Sequence, residues 1–374
     1  MLKKFLTGGA AAALLAGGAM AETTFTANSF YAAEHPHSKY GYIEWAEMVE
    51  EMSDGELKPD VYTGTVLLAP RANLQGIRDN VVQVAHHAAV YTPSEMPVAN
   101  TVQELGFNYS DPLVMIFAST DFSMNNETQL AEWADKGVVY LGSYATPPYI
   151  LFCREPVRTL EEFKGKRIRT AGSSVSQWVE KAGGIPVNVP SSEMYTGLER
   201  GTLDCASNAA NDLIDRSLWE VSEHTTMLST GMYWTGPQWG FNPEFWSGLT
   251  TEQREILMQA TARAMSRMIV QYVGSAEEKL ALAKEKGNNV YEPGEDLLAS
   301  AEKYRANSVE TAYKTAEETY GLSNGKEVID DFIATHEKWE GLLADVDRTD
   351  EDALTELVMQ EIYGKIDAST YGMR

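Results

Sequence analysis

The sequence predicts an α/β protein built as two lobes, with strands crossing between them. Three observations lead there. The chain has 374 residues, and about 350 of them follow an amino-terminal leader, more than one hydrophobic core normally serves. Strand-like and helix-like segments alternate in two separate stretches, the pattern of parallel sheets covered on both faces. After residue 250 the pattern turns helical almost throughout.

The leader combines a basic start (Lys3, Lys4), an apolar run over residues 5–15 and the small-residue stop Ala19-Met20-Ala21. That is the form of a secretory signal peptide, too short to span a bilayer, and the expected cut after Ala21 places the remainder outside the cytoplasm, in the periplasm. No later run approaches the roughly 20 apolar residues a membrane span needs. The formal charge is −24, and removing Lys3 and Lys4 leaves an excess of 26 acidic side chains. Such a field repels nucleic acid and anionic membranes, so neither is an expected partner.

In the first lobe, residues 23–27 read as a strand. Residues 38–53 follow as a helix, with Tyr42, Trp45, Val49 and Met52 at helical spacing and Asp54-Gly55 as its stop. A strand over 57–62, a helix around 71–78 and an apolar run over 81–89 continue the alternation, and residues 138–142 supply another strand. Residues 149–154 then carry the chain into the second lobe, and a return crossing is expected near 232–241. Two or more crossings form a hinge about which lobes can close. Thr250 with Gln253 fits a capping box, and apolar spacing continues toward Lys286, predicting one helix on the order of 50 Å long, enough to brace both lobes. Further helices are expected near 296–320, 326–343 and 350–363. The expected division is residues 22–146 plus about 236–274 for lobe I, 147–235 plus about 275–310 for lobe II, and carboxy-terminal helices over 311–374 packing on the lobes.

The most informative stretch is 164–208. It alternates strand, helix, strand, helix, strand, and it leaves Arg169 and Asn208 at strand ends. In an open parallel sheet the ligand crevice lies beyond the carboxyl ends of the strands. A guanidinium there holds a carboxylate through two parallel hydrogen bonds, and an amide adds a third.

The segment resembles the substrate-binding proteins of tripartite ATP-independent periplasmic (TRAP) transporters, strongly over residues 149–208 and diffusely over most of the rest. The residues that carry the likeness are a hinge-like strand ending at Arg154, the run from Thr159 to Arg169, the run from Ser192 to Asp204, and Asn208. The resemblance implies a two-lobe periplasmic-binding-protein fold (class II-like) with hinge strands and a long lobe-spanning helix. It also implies an extracytoplasmic receptor that binds a small organic carboxylate in the cleft through Arg169, oriented by Asn208, and delivers it to a TRAP-type membrane permease. Where the family has glycine after the aspartate and an acid or amide before the asparagine, this chain has Cys205, Ala206 and Ser207.

Other cleft candidates follow. Tyr149 starts the crossing strand, where some relatives that bind acidic sugars place a second arginine; a phenol there points to one carboxylate rather than two, and it reads equally well as a core tyrosine. His35, in the pair His35-Pro36, lies on a loop expected to face the cleft. His87 and Tyr91 follow an apolar run, and strand alternation turns one of His86 and His87 toward the cleft. On the aromatic return stretch, Trp234 or Trp239 could stack on the ligand skeleton and Gln238 could supply a polar contact; core packing is the competing reading for the aromatics. A relative that binds keto acids through a metal has glutamate after a tryptophan here, whereas Gly240 follows Trp239, so no metal or other cofactor is expected.

No nucleophile elbow, Walker loop, dinucleotide fingerprint or zinc helix occurs, and His336-Glu337 lacks the second histidine. No catalytic residue is therefore expected. The alternatives to a transport receptor are a secreted enzyme on the same scaffold and a ligand-sensing partner of a signalling receptor. Cys153 and Cys205 fall on strands of one lobe and read either as a bridge or as two buried thiols.

Overall fold

A computed structural model describes residues 22–373, so the expected leader lies outside the described residues. Two mixed sheets organise the chain. The first contains β1 (Thr23–Ser29), β2 (Leu57–Thr63), β3 (Val84–Ala85), β4 (Val139–Tyr140) and β10 (Gly240–Phe241), in the order β2-β1-β3-β10-β4. The second contains β5 (Tyr149–Cys153), β6 (Arg167–Thr170), β7 (Ile185–Asn188), β8 (Cys205–Ala209), β9 (His224–Thr226) and β11 (Asn289–Tyr291), in the order β11-β9-β5-β8-β6-β7.

Each sheet has one strand that runs against both neighbours: β10 against β3 and β4, and β5 against β8 and β9. These are the two strands that arrive from the other lobe. The stretches leading to them run alongside each other, with Leu141 N–H donating to Trp239 O (2.9 Å), Gln238 N–H to Gly142 O (2.9 Å), Thr146 N–H to Tyr233 O (3.0 Å) and Tyr149 N–H to Gly231 O (2.6 Å). The two crossings thus form one antiparallel ribbon, and its backbone groups are satisfied although it belongs to neither sheet.

Several expected elements differ in extent, each for a physical reason. The helix expected over 38–53 opens as Pro36–Ser38, widens into a π-helical turn at Lys39–Ile43 and continues as Glu44–Met52. The widened turn receives the return ribbon: Trp239 Nε1–H donates to Gly41 O at 2.7 Å, and a Cβ on Gly41 would sit 2.6 Å from Gln238 Nε2. Only Val84–Ala85 of the apolar run 81–89 pairs as strand. The helices Pro97–Gln103, Pro112–Asn125 and Glu127–Asp135 were not expected. Pro112–Asn125 is buried on every side except its last residue, so it has no apolar stripe to announce it.

The capping box of Thr250 and Gln253 is present, but the long helix is two helices, Thr251–Gly274 and Ala276–Glu285. Glycine at the end of the first, followed by a serine that competes for local hydrogen bonds, makes this the weak point. The first piece, about 36 Å long at 1.5 Å per residue, packs on the first lobe, and the second packs on the short helix Asp212–Asp215 of the second. The carboxy-terminal helices Gly325–Leu342 and Glu351–Glu361 extend the first lobe's core through Phe332, Trp339, Leu354 and Val358. Cys153 and Cys205 face each other in register on β5 and β8 and form a disulfide.

Candidate ligand-binding site

β6 and β8 run parallel, so their carboxyl ends share an edge. β5 runs against β8, so its first residue comes to that same edge. Arg169, Asn208 and Tyr149 therefore meet. From the first lobe, Tyr31 after β1 and Tyr91 after β3 approach from the opposite side, and Tyr144 and Tyr233 come from the two arms of the ribbon. Tyr272 closes the wall from the last turn of the helix Thr251–Gly274, with Asp212 and Ser191 from the second lobe. The cavity these residues line has a volume of about 320 Å³.

Arg169 is 1 % exposed. Its Nε–H donates to Val189 O at 3.1 Å and its Nη1 to Ser207 O at 3.0 Å, while Nη2 has no hydrogen bond among the described residues. Two backbone carbonyls thus fix the plane of the guanidinium and leave one edge for an anion. Tyr149 is raised to about 12 by burial, against the opposing pull of Arg169, so it stays a neutral donor at any physiological pH.

Asn208 Nδ2 donates to the Asp212 carboxylate. Asp212 also accepts from His35 Nε2 at 3.2 Å and from Arg216 Nε at 2.8 Å. Burial pushes the Asp212 carboxyl up, but the Arg216 charge and the His35 hydrogen bond outweigh it and hold the group well below the usual carboxylate range. Burial lowers His35, and its Nδ1 accepts from His37 N–H, so it is a neutral ring with the proton on Nε2.

Of the nine sequence candidates, the fold brings Arg169, Asn208, Tyr149 and Tyr91 to the cavity wall. His35 lies one layer back, stacked on Tyr31 at 4.2 Å, where it caps the helix start and holds Asp212. The other four do not line the cavity. His87 turns away to Thr92 Oγ1 (2.8 Å), and Gln238 donates to His37 O (3.0 Å). Trp239 is spent on Gly41, and Trp234 stacks on Phe332 (5.7 Å) under the carboxy-terminal helices. For Trp234 the reason is parity: on an extended ribbon neighbours point to opposite faces, and it is Tyr233 rather than Trp234 that faces the cavity. Tyr31, Tyr144, Tyr233, Tyr272 and Asp212 were missed; the parity of residues 231–234 was the one available signal, and it concerned only Tyr233.

His35, Asp212 and Asp215 offer ligand atoms within 4.8 Å of one another. Both carboxylates are already paired with cations of the chain, Asp212 with Arg216 and Asp215 with Lys279 (2.6 Å), a poor setting for a metal ion.

Comparison with known proteins agrees with this architecture. The chain is 26 % identical over 296 residues to a solute-binding protein of Albidiferax ferrireducens, covering 75 % of this chain and 80 % of that one. It is 29 % identical over 206 residues to the ectoine-binding periplasmic protein TeaA of Halomonas elongata, covering 54 % and 58 %. Its fold matches that of a TRAP solute-binding protein from an unidentified marine microbe, described as specific for aromatic acid ligands, with a TM-score of 0.76 at 20 % identity over 85 % of this chain and 100 % of that one. The profile described as bacterial extracellular solute-binding protein, family 7, matches residues 28–316. The chain therefore belongs to family 7 of the bacterial extracellular solute-binding proteins, a family of solute receptors and not of enzymes.

Proposed function

We propose that this protein is the periplasmic receptor of a TRAP-type permease and that it holds one small organic carboxylate between its lobes. The observation that supports this most directly is the buried Arg169 guanidinium, fixed by two backbone carbonyls with Nη2 unpaired beside the cavity. A carboxylate placed there gains charge-assisted hydrogen bonds at no reorganisation of the arginine. Asn208, Tyr149 and Tyr91 stand where they would orient it. Relatives named for binding ectoine or aromatic acids are consistent with a small acid as the solute class.

In this reading residues 22–146 with about 236–274 form lobe I, residues 147–235 with about 275–310 form lobe II, and the final helices pack on them. Arg71 Nη2–H donates to Asn188 O (3.3 Å) and Ser191 N–H to Tyr91 Oη (3.0 Å), two contacts between the lobes beside the cavity. A solute larger than water needs these to part and the ribbon to flex, after which closure presents the loaded form to the permease. Arg169→Ala tests the anchor. Calorimetry should show acid binding weakened by about 2–5 kcal/mol, because the ligand's buried charge loses its partner; unchanged affinity would remove Arg169 from the site.

A further inference from the structure

The charges around the cavity are not those of a simple anion hole. Asp212 stands on the wall, beside Asn208 and across from Tyr31 and Tyr272. Its counter-charge does not. Arg216 lies behind, with its guanidinium 4.9 Å from the centre of the Tyr31 ring, and its Nη2 is enclosed with no hydrogen-bond partner among the described residues. His35, which also donates to Asp212, sits in that rear layer. Asp215 and Lys279, the next ion pair outward, cancel each other.

Two guanidiniums and one carboxylate leave the site one positive charge, enough for one negative group. That group is accounted for by Arg169. Any second acidic group on the solute would meet the remaining wall, which consists of phenols, small residues and the Asp212 carboxylate. Placing two carboxylates side by side in a buried cavity is strongly unfavourable. By contrast, the Tyr31 and Tyr272 hydroxyls make no hydrogen bond among the described residues, and so remain available to neutral oxygen or nitrogen atoms of a solute.

We infer that Asp212 is a specificity-determining residue: the solute carries a single carboxylate, and Asp212 rejects acids with a second. This rests on the carboxylate reading of the site given above and narrows it.

The test compares matched acids by calorimetry at neutral pH on the exported chain, using succinamate against succinate and 3-hydroxybutyrate against malate within a wider panel of small acids. The tightest ligands should have one carboxylate, and the single-carboxylate member of a bound pair should win by about tenfold or more. Asp212→Asn should shrink or invert that ratio. The double variant Asp212→Asn with Arg216→Gln, which restores the original net charge, should keep the shrunken ratio; a full return of the preference would assign it to net charge and overturn the role of Asp212. A dicarboxylate as the tightest ligand of the unaltered protein would overturn the inference while leaving the Arg169 anchor standing. So would a pair ratio unmoved in Asp212→Asn that still melts cooperatively. Binding of no organic acid would overturn the carboxylate reading and this inference with it. The comparison on the unaltered protein decides even if the variants fail to fold.

Discussion

At the scale of single residues, burial rather than contact with a ligand explains most of the perturbed ionisations. His87 is pushed down to about 3 by burial. An unfolded histidine takes up its proton near pH 6.5, so the unfolded state binds more protons than the native one below that value, and stability falls as pH drops from about 6.5 toward 3. Between pH 7 and pH 5 this one ring should cost on the order of 2 kcal/mol. His37 and His86, also lowered by burial, act in the same sense. Glu104 and Glu132, raised to about 7 by burial, act oppositely, because they hold protons in the native state that the unfolded chain releases. The clean measurement is therefore a difference: His87→Gln should lose less thermal stability than the unaltered protein between pH 7 and pH 5. Equal losses would mean that His87 already carries its charge in the fold.

At the scale of elements, the stretch 164–208 was the most legible because two local signals agreed there, strand propensity and short turns. Thr159 with Glu162 completes a capping box just before β6, so the chain enters that strand from a defined direction. The long helix was legible at its start, where Thr250 and Gln253 cap it, and illegible at its break, because a Gly-Ser pair inside an otherwise periodic pattern weakens a helix without dictating that it end. Trp234 and Trp239 were placed on the wrong face because the ribbon that carries them is defined by pairing with residues 141–149, a partner invisible to local pattern. The Cys153–Cys205 bridge belongs to this scale too, closing a separation of 52 residues across β5 and β8. In the chain-entropy account a loop of that length is worth about 4 kcal/mol. Replacing both cysteines by serine should lower stability by an amount of that order in denaturant titrations. A loss under about 1 kcal/mol would show that the antiparallel register of β5 and β8 holds without the link.

At the scale of the whole molecule, length and alternation were enough to read two lobes, since about 350 residues cannot share one core and each sheet's strands are spaced by helices. Which tyrosines surround the solute was not readable, because the cavity is assembled from both lobes, both arms of the ribbon and the long helix, segments far apart in sequence. Among the described residues no helix is long and apolar enough to cross a membrane. Mass spectrometry of the exported protein should find Glu22 at its amino terminus; retention of Met1 would refute the expected cut.

The break at Ser275 has a mechanical consequence. Asn211, the residue before Asp212, donates to Tyr272 O (3.0 Å) and to Ser275 Oγ (3.1 Å), and Tyr272 itself forms part of the cavity wall. The pivot of the brace and the floor of the pocket are thus built from the same few atoms. Any bend of the brace at Ser275 would therefore shift Tyr272 and Asn211 together, and the shape of the pocket with them.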